Sequence, residues 1–374
     1  MPEDGGRRER APTVVDVAGQ AGVSRQTVSN VLNSPERVAP GTKARVQQAI
    51  AELGYRPNRV ASNLKLQRTG LLGYRVPRHA PSINPVLDRF LHALTDAARD
   101  QGYHVLLFTS ADGRGEIDVA EELMATRTVD GFVLAETNYR DDRIRHFVET
   151  SIPFAAFGRT DLDLPYPWVD VDGAAGTALA VQHLAERGHE RIAYLGWPQG
   201  SMSGDQRVLG FRRGLDAAGL DAHPTLDARA DDGLEAGAEA LDRWLALPRP
   251  PTAVVAASDL LALGVLKAAR ARGVRIGEDL AVTGFDDTPV APVMSPPLTS
   301  LRQPLEDVAI RVVHLLTNRI DGAVGDGTGV ALPPELVVRA SSGPDPSTGS
   351  WPGSGAPAPA PLPPAPPPER TEPT

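Results

Sequence analysis

The sequence predicts an α/β protein in which a small all-α helix-turn-helix head precedes a two-lobed, doubly wound parallel α/β body. Two observations predict this architecture. Residues 1–70 carry 11 Lys and Arg against 6 Asp and Glu, whereas the remainder carries 27 against 41. From Leu71 onward, short apolar runs alternate with amphipathic stretches over about 270 residues, a length that favours two βαβ lobes rather than one.

Charge and composition narrow the class of protein. A basic segment before an acidic one is typical of nucleic-acid binding, although +5 over 70 residues also occurs by chance. The chain has no cysteine, which excludes disulfides and thiolate metal sites. No apolar run approaches the roughly 18 residues that span a bilayer, and the N-terminus lacks the apolar stretch of a signal peptide. We therefore expect a cytoplasmic, nucleoid-associated protein without membrane contact.

Seven apolar runs predict buried parallel strands in the body. They are LLGYRV (71–76), HVLLF (104–108), GFVLA (131–135), PFAAF (153–157), RIAYLG (191–196), TAVVAA (252–257) and LAVTGF (280–285). Between them, helical spacing over 86–99, 176–187 and 260–272 predicts helices, each closed by a glycine. The Pro-rich tail over 343–374 has almost nothing to bury, so we expect it to be disordered, with a ligand for a partner domain as the alternative.

The head has the helix start and stop signals of a helix-turn-helix. Thr13 and Asp16 predict a capping box at the start of a helix from Val14 to about Ala21. Gly22 suits the tight turn that follows, and Ser24 is a good N-cap for a second helix. A third helix is predicted over 42–53, where apolar residues recur at helical spacing.

The second helix has two distinct faces. Val28, Val31 and Leu32 form one apolar stripe at spacings of three and four. The opposite side carries Arg25, Gln26, Ser29, Asn30 and Asn33. These side chains match the donors and acceptors that read base edges in a major groove, although a solvated polar face would have the same composition.

The segment after the third helix contains RPNRVASNLKLQRTG, with Asn58 placed as an N-cap. Its apolar stripe of Val60, Ala61 and Leu64 is too narrow to hold an isolated short helix in water. We therefore expect this hinge to fold only when DNA or a second copy of the chain covers the stripe.

These motifs resemble the LacI/GalR family of bacterial transcriptional repressors. The resemblance rests on DVAGQAGVSRQTVSNVLN and GYRPN in the head, and on VDVDGAAGTALAVQHLAERGHERIAYLG, SGDQRVLGFRRGL, ASDLLALG and VTGFDDTPVAPVMSPPLTSL in the body. It covers roughly residues 13–340. It implies a homodimer, or a higher oligomer, on a palindromic double-stranded DNA operator, with Leu64 wedged between base steps of the minor groove.

By this resemblance, the residues expected to contact DNA are Thr13, Ser24, Arg25, Gln26, Thr27, Ser29, Asn30, Asn33, Asn58, Arg59, Ala61 and Leu64. One departure bears on the operator sequence. Many family members have arginine where this chain has Asn30, and the exchange replaces a guanine-type contact by an adenine-type or phosphate contact.

The body resembles the family's effector domain, which is related to periplasmic sugar-binding proteins and binds its ligand between two lobes. The resemblance assigns effector contacts to Asp172, Arg207, Ser258 and Asp286. Trp197 is a candidate stacking face, with packing as the alternative. Charged acceptors and a forked donor suit the hydroxyls of a sugar, whereas each acid taken alone equally suits a helix cap or a surface charge. Whether the effector releases DNA or promotes binding is not fixed by these residues.

Other classes find less support in the sequence. There is no G-x-S-x-G, P-loop, G-x-G-x-x-G after a strand or H-E-x-x-H, so we expect no catalytic residue, no metal and no cofactor. A sugar-binding protein of a transport or chemosensory system, without DNA binding, is the alternative function, and the first 70 residues argue against it. The predicted organisation is a flexible extension (1–12), a DNA-binding head (13–57), a hinge (58–70), an effector-binding and dimerisation body (71–342) and a disordered tail (343–374).

Overall fold

The computed structural model describes residues 12–55, 68–77, 84–322 and 329–343. The chain divides into two compact units, Met1–Thr69 and Gly70–Thr374. Most of the predicted extension, hinge and tail lies outside the described residues.

The first unit contains the three predicted helices, α1 (Val14–Ala21), α2 (Arg25–Asn33) and α3 (Pro40–Leu53). Gly22 ends α1 in the left-handed conformation at φ 62°, which a residue with a side chain rarely adopts. Val17, Val28 and Val46, one from each helix, are fully buried in the core between the three helices. The predicted three-helix core is therefore confirmed.

The first lobe of the second unit is a parallel sheet with strand order β11-β5-β4-β3-β1-β2. Its strands are β1 (Leu71–Pro77), β2 (His104–Ser110), β3 (Gly131–Leu134), β4 (Phe154–Phe157), β5 (Trp168–Val171) and β11 (Val330–Leu332). Its helices are α4 (Pro85–Asp100), α5 (Gly113–Ala125), α6 (Asp142–Glu149) and α11 (Leu305–Ile320).

The second lobe is a sheet with strand order β12-β10-β9-β8-β6-β7, parallel except for the antiparallel pairing of β12 with β10. Its strands are β6 (Ile192–Gly196), β7 (Asp227–Arg229), β8 (Ala253–Ala256), β9 (Ala281–Asp286), β10 (Thr299–Arg302) and β12 (Glu335–Val337). Its helices are α7 (Gly173–Ala185), α8 (Met202–Ala218), α9 (Leu234–Leu245) and α10 (Asp259–Ala271). Single 3₁₀ turns occur at Pro35–Arg37, Pro224–Leu226, Ala291–Val293 and Ala340–Ser342.

The chain passes between the lobes three times. It leaves the first lobe after β5, returns with α11, and crosses again between β11 and β12. The apolar face of α11 joins the core of the first lobe through Val308, Val312 and Leu316, all fully buried. The two-lobed architecture predicted from the βα alternation is confirmed, and all seven predicted strands are present.

Candidate functional site

The outward side of α2 carries a preassembled polar pair. Gln26 is exposed, and its side-chain amide donates to Oδ1 of Asn30 at 3.0 Å. Arg25 is exposed beside them, and Ser29 is half-buried. The inward side of the same helix buries Val28 and Val31, so packing fixes which face of α2 is presented outward.

Two predicted DNA contacts, Thr13 and Ser24, are used within the head as helix caps. The Thr13 hydroxyl accepts from the Asp16 backbone N–H at 3.4 Å, and the Asp16 carboxylate accepts from the Thr13 backbone N–H at 2.7 Å, which completes a capping box. Ser24 caps α2 by accepting from the Thr27 backbone N–H at 3.1 Å, and the two hydroxyls lie 2.9 Å apart. Thr13 thus stabilises the start of α1, and Ser24 stabilises the start of α2. Asn33 is the last residue of α2, whereas Asn58, Arg59, Ala61 and Leu64 lie outside the described residues.

In the second unit, a cavity of about 720 Å³ lies between the two lobes, at the carboxyl ends of both sets of parallel strands. This is where open α/β sheets bind ligands, because the loops and helix N-termini of successive βα units converge there. Aromatic rings on the wall come from Phe157, Trp197 and Phe285. The polar wall includes Glu136, Asn138, Asp170, Gln206, Arg207, Asp232, Ser258, Asp259, Asp286 and Gln303.

Arg207 is held rigidly at the base of this cavity. It lies in the second turn of α8, which begins at Met202. Its guanidinium stacks 3.7 Å from the ring centroid of Phe285 and 4.7 Å from that of Trp197, within cation–π range. Nη1 donates to the carbonyl oxygen of Ala257, and Nη2 lies 3.6 Å from Oδ1 of Asp286.

Asp286 ends β9 with a backbone φ of 111°, in a region that disfavours residues with side chains and is often retained at binding sites. Its carboxylate accepts a hydrogen bond from Gln303 Nε2 at 2.7 Å. Burial raises the pKa of Asp286 to about 7, even though Arg207 acts to lower it. The loss of hydration on burial is the largest effect on this pKa, and the neighbouring Asp259 carboxylate also raises it.

Ser258 also lies on the wall, but its hydroxyl already donates one hydrogen bond and accepts another. Its oxygen caps α10 by accepting from the Leu261 backbone N–H at 3.1 Å, and its hydroxyl donates to Asp232. Trp197 lines the cavity while one side of its ring packs against Arg207, so both predicted roles of this residue fit its position.

The geometry gives no support to an effector contact from Asp172. Its carboxylate caps α7 by accepting from the Ala175 backbone N–H at 2.9 Å, and the described cavity wall includes Asp170 but not Asp172. Asp170 pairs with Arg159 at 2.9 Å, and burial raises its pKa while Arg159 acts to lower it. The helix-cap alternative left open by the sequence is therefore the one that this acid adopts.

Several wall residues escaped prediction from sequence. Asn138 and Glu136 directly follow β3, so the rule that strand ends meet at one edge of a sheet would have found them. Asp232 belongs to the acidic doublet Asp231–Asp232, which was not assigned to the site from the sequence. Within the described ranges, no group of three or more His, Asp or Glu side chains is arranged to hold a metal ion.

No helix among the described residues is long and apolar enough to cross a bilayer.

Comparison with known proteins identifies the two units. Residues 13–58 match the family model described as bacterial regulatory proteins, lacI family, and residues 181–342 match that of a periplasmic binding protein-like domain. The chain is 36% identical to the HTH-type transcriptional regulator CelR of Thermobifida fusca over 340 residues, which cover 89% of this chain and 99% of the relative. The chain belongs to the LacI family.

Solved structures of the family have the same fold. A CelR–cellobiose complex is 34% identical and has a TM-score of 0.67, covering 88% of this chain and 99% of that one. A lac repressor dimer bound to operator and the anti-inducer ONPF is 28% identical with a TM-score of 0.71, covering 90% and 100%. This LacI-family chain is thus a DNA-binding transcriptional regulator, and its head sets it apart from a sugar-binding protein that lacks DNA binding.

Proposed function

We propose that this LacI-family regulator represses carbohydrate-utilisation genes by binding a palindromic operator as a homodimer, under the control of a sugar bound between its lobes. The observation that carries the proposal is the interlobe cavity, in which Arg207, Asp286 and Asp170 converge beside aromatic rings. Carboxylate and amide groups can hydrogen bond to the hydroxyls of a sugar, while ring faces pack against its C–H surface.

The DNA-binding part of the proposal rests on α2. Its exposed Arg25 and its Gln26–Asn30 pair provide donors and acceptors for base edges. The printed names of two similar structures, a CelR–cellobiose complex and a lac repressor dimer bound to operator, support a sugar effector and a dimer. The hinge role of Leu64 stays a prediction from the family resemblance.

Control of DNA binding requires that the sugar bind two conformations of the body unequally. Closure of the cavity on a ligand would favour one relation of the lobes, and a coupling of roughly 1–3 kcal/mol per site is typical of such regulators. We propose that the sugar releases the operator and that the protein acts on chromosomal DNA in the cytoplasm. The cavity is assigned to binding rather than to catalysis, in keeping with relatives that are transcriptional regulators.

The test uses purified full-length protein. Selection from a random DNA library should return a two-fold symmetric site, and fluorescence anisotropy on that site should report release when the effector sugar is added. Selection that returns no preferred site would contradict the operator proposal. A site that no sugar releases, together with no sugar binding by calorimetry, would contradict the effector proposal alone.

A further inference from the structure

The described wall of the interlobe cavity has a strongly unequal charge. It carries five carboxylates against a single cation, Arg207. The carboxylates are Glu136, Asp170, Asp232, Asp259 and Asp286. A ligand that brings negative charge into this space would meet an acidic surface at close range, where like charges repel most strongly.

Arg207, the one cation of the described wall, already has contacts within the protein. The Arg207 side chain is 8% exposed, stacked between Trp197 and Phe285, and its Nη1 donates to the Ala257 carbonyl. Recognition of a phosphate by arginine commonly uses two parallel N–H donors of the guanidinium fork. With Nη1 taken and Nη2 near Asp286, that fork is not free to receive one.

Helix N-termini, the other usual anchor for phosphate, are capped by side chains at this cavity. Asn84 accepts from two backbone N–H groups of α4, and Ser258 caps α10. At α8, Ser201 accepts from the Gly204 N–H and Asn138 accepts from the Met202 N–H. Five backbone N–H groups at these helix starts therefore already donate to side chains rather than to a ligand.

Three of these carboxylates already have partners, so they do not form a free cation-binding site either. Asp170 pairs with Arg159, Glu136 with Arg75 at 2.8 Å, and Asp286 accepts from Gln303. Their remaining lone pairs can accept hydrogen bonds from hydroxyl groups. Among the described wall residues, hydrogen-bond acceptors and apolar rings predominate and the single guanidinium is already bonded, which fits a neutral polyhydroxylated molecule.

We propose that the effector of this regulator is an uncharged saccharide and that the cavity rejects its phosphorylated counterpart. The inference rests on the proposed sugar control and adds a charge rule to it.

The test compares matched neutral and phosphorylated sugars. Isothermal titration calorimetry on the full-length protein is run with glucose against glucose 6-phosphate, trehalose against trehalose 6-phosphate, sucrose against sucrose 6-phosphate, and with cellobiose and glucosamine alone. We expect a neutral sugar to bind, and every phosphorylated partner to bind at least tenfold more weakly than its neutral form. Equal or tighter binding of a phosphorylated sugar, or a preference for cationic glucosamine over every neutral sugar, would overturn the charge rule but leave sugar control intact. Absence of binding by every probe would overturn both.

A charge variant tests whether the wall causes the discrimination. Asp232→Asn removes one negative charge from the wall and keeps an oxygen that can accept from Ser258. The ratio of neutral to phosphorylated affinity should fall by roughly threefold to tenfold. Asp242→Asn, at an ion pair with Arg272 away from the cavity, is the matched control and should leave the ratio unchanged. An equal ratio in Asp232→Asn and the parent would remove the wall charge as the cause of discrimination.

Discussion

The side-chain oxygen of Asn138, in the first lobe, accepts a hydrogen bond at 2.9 Å from the backbone N–H of Met202, in the second lobe. The amide nitrogen of the same side chain donates to the Gly200 carbonyl at 3.1 Å. Asn138 thus fastens the start of α8 to the loop after β3, directly at the cavity wall. Opening of the cleft has to break both hydrogen bonds.

Asn138→Ala should weaken effector binding because it removes the two bonds that hold the lobes together. At about 0.5–1.5 kcal/mol per hydrogen bond, less for exposed groups, affinity should fall about 5- to 20-fold if the effector binds the closed form. Calorimetry with the sugar found in the screen measures the change. Asn318→Ala, at a half-buried position of α11 outside the described cavity wall, is the matched control. Unchanged affinity in Asn138→Ala would mean that these bonds do not bias closure.

Gln26→Ala should relax preference at one base pair of each operator half-site, by about 1–3 kcal/mol of discrimination. Because Asn30 accepts from the Gln26 amide and thereby orients it, Asn30→Ala should relax the same base pair, and the double variant should lose less than the sum. The affinities of the parent, the two single variants and the double variant for operators with each base at that position complete this double-mutant cycle. Gln48→Ala on α3 serves as control. Strictly additive losses at different base pairs would contradict a cooperating pair.

Sequence patterns predicted the long elements well and the short ones poorly. The strands β6 and β9 are buried along almost their whole length and consist mainly of apolar residues and glycine, so composition alone located them. By contrast, β7, β11 and β12 are three residues each and lie between loops, where no periodicity can be established. Helix α3 begins two residues before the predicted start because Pro40 suits the first helical turn.

The site was predictable where a single strand end determined it, as at Asp286. It was not predictable where two lobes meet, as at Asn138, because the partner atoms lie 62 to 64 residues away and depend on lobe closure. Asp170 and Asp172 show a related difficulty. Both acids flank Val171 at the end of β5, and only the position at which α7 begins decides which one caps the helix.

Two matched variants distinguish the roles of Asp170 and Asp172. Asp172→Ala removes an N-cap and should lower the free energy of unfolding by about 1 kcal/mol, with effector affinity retained. Asp170→Asn removes the charge paired with Arg159 on the cavity wall and should lower effector affinity about tenfold. Urea unfolding and calorimetry on both proteins give the comparison. The opposite assignment of the two effects would restore Asp172 to the site.

Two buried histidines in the second lobe should make the protein sensitive to acid. Burial lowers the pKa of His183 and of His189 to about 4, whereas an unfolded histidine titrates near 6.5. The stability contributed by keeping them neutral is present above pH 6.5 and is lost as the pH falls toward 4, because the unfolded chain takes up the protons first. Urea unfolding between pH 7.5 and 5 should lose less stability in the His183→Gln, His189→Gln double variant. His92→Gln, at an exposed position, should follow the parent, and parallel profiles in all three would contradict the assignment.

Effector binding should strengthen with pH up to about 7. Burial raises the pKa of Asp286 to about 7, so this carboxyl group is largely protonated at pH 6 and ionised at pH 8. A sugar hydroxyl that donates to the ionised form favours that form, so binding below the pKa has to expel a proton and loses up to tenfold in affinity per pH unit. Calorimetry at pH 6, 7 and 8 should show the slope in the parent and a flat profile in Asp286→Asn, whose side chain does not titrate. A parent profile as flat as that of the variant would remove Asp286 from contact with the sugar.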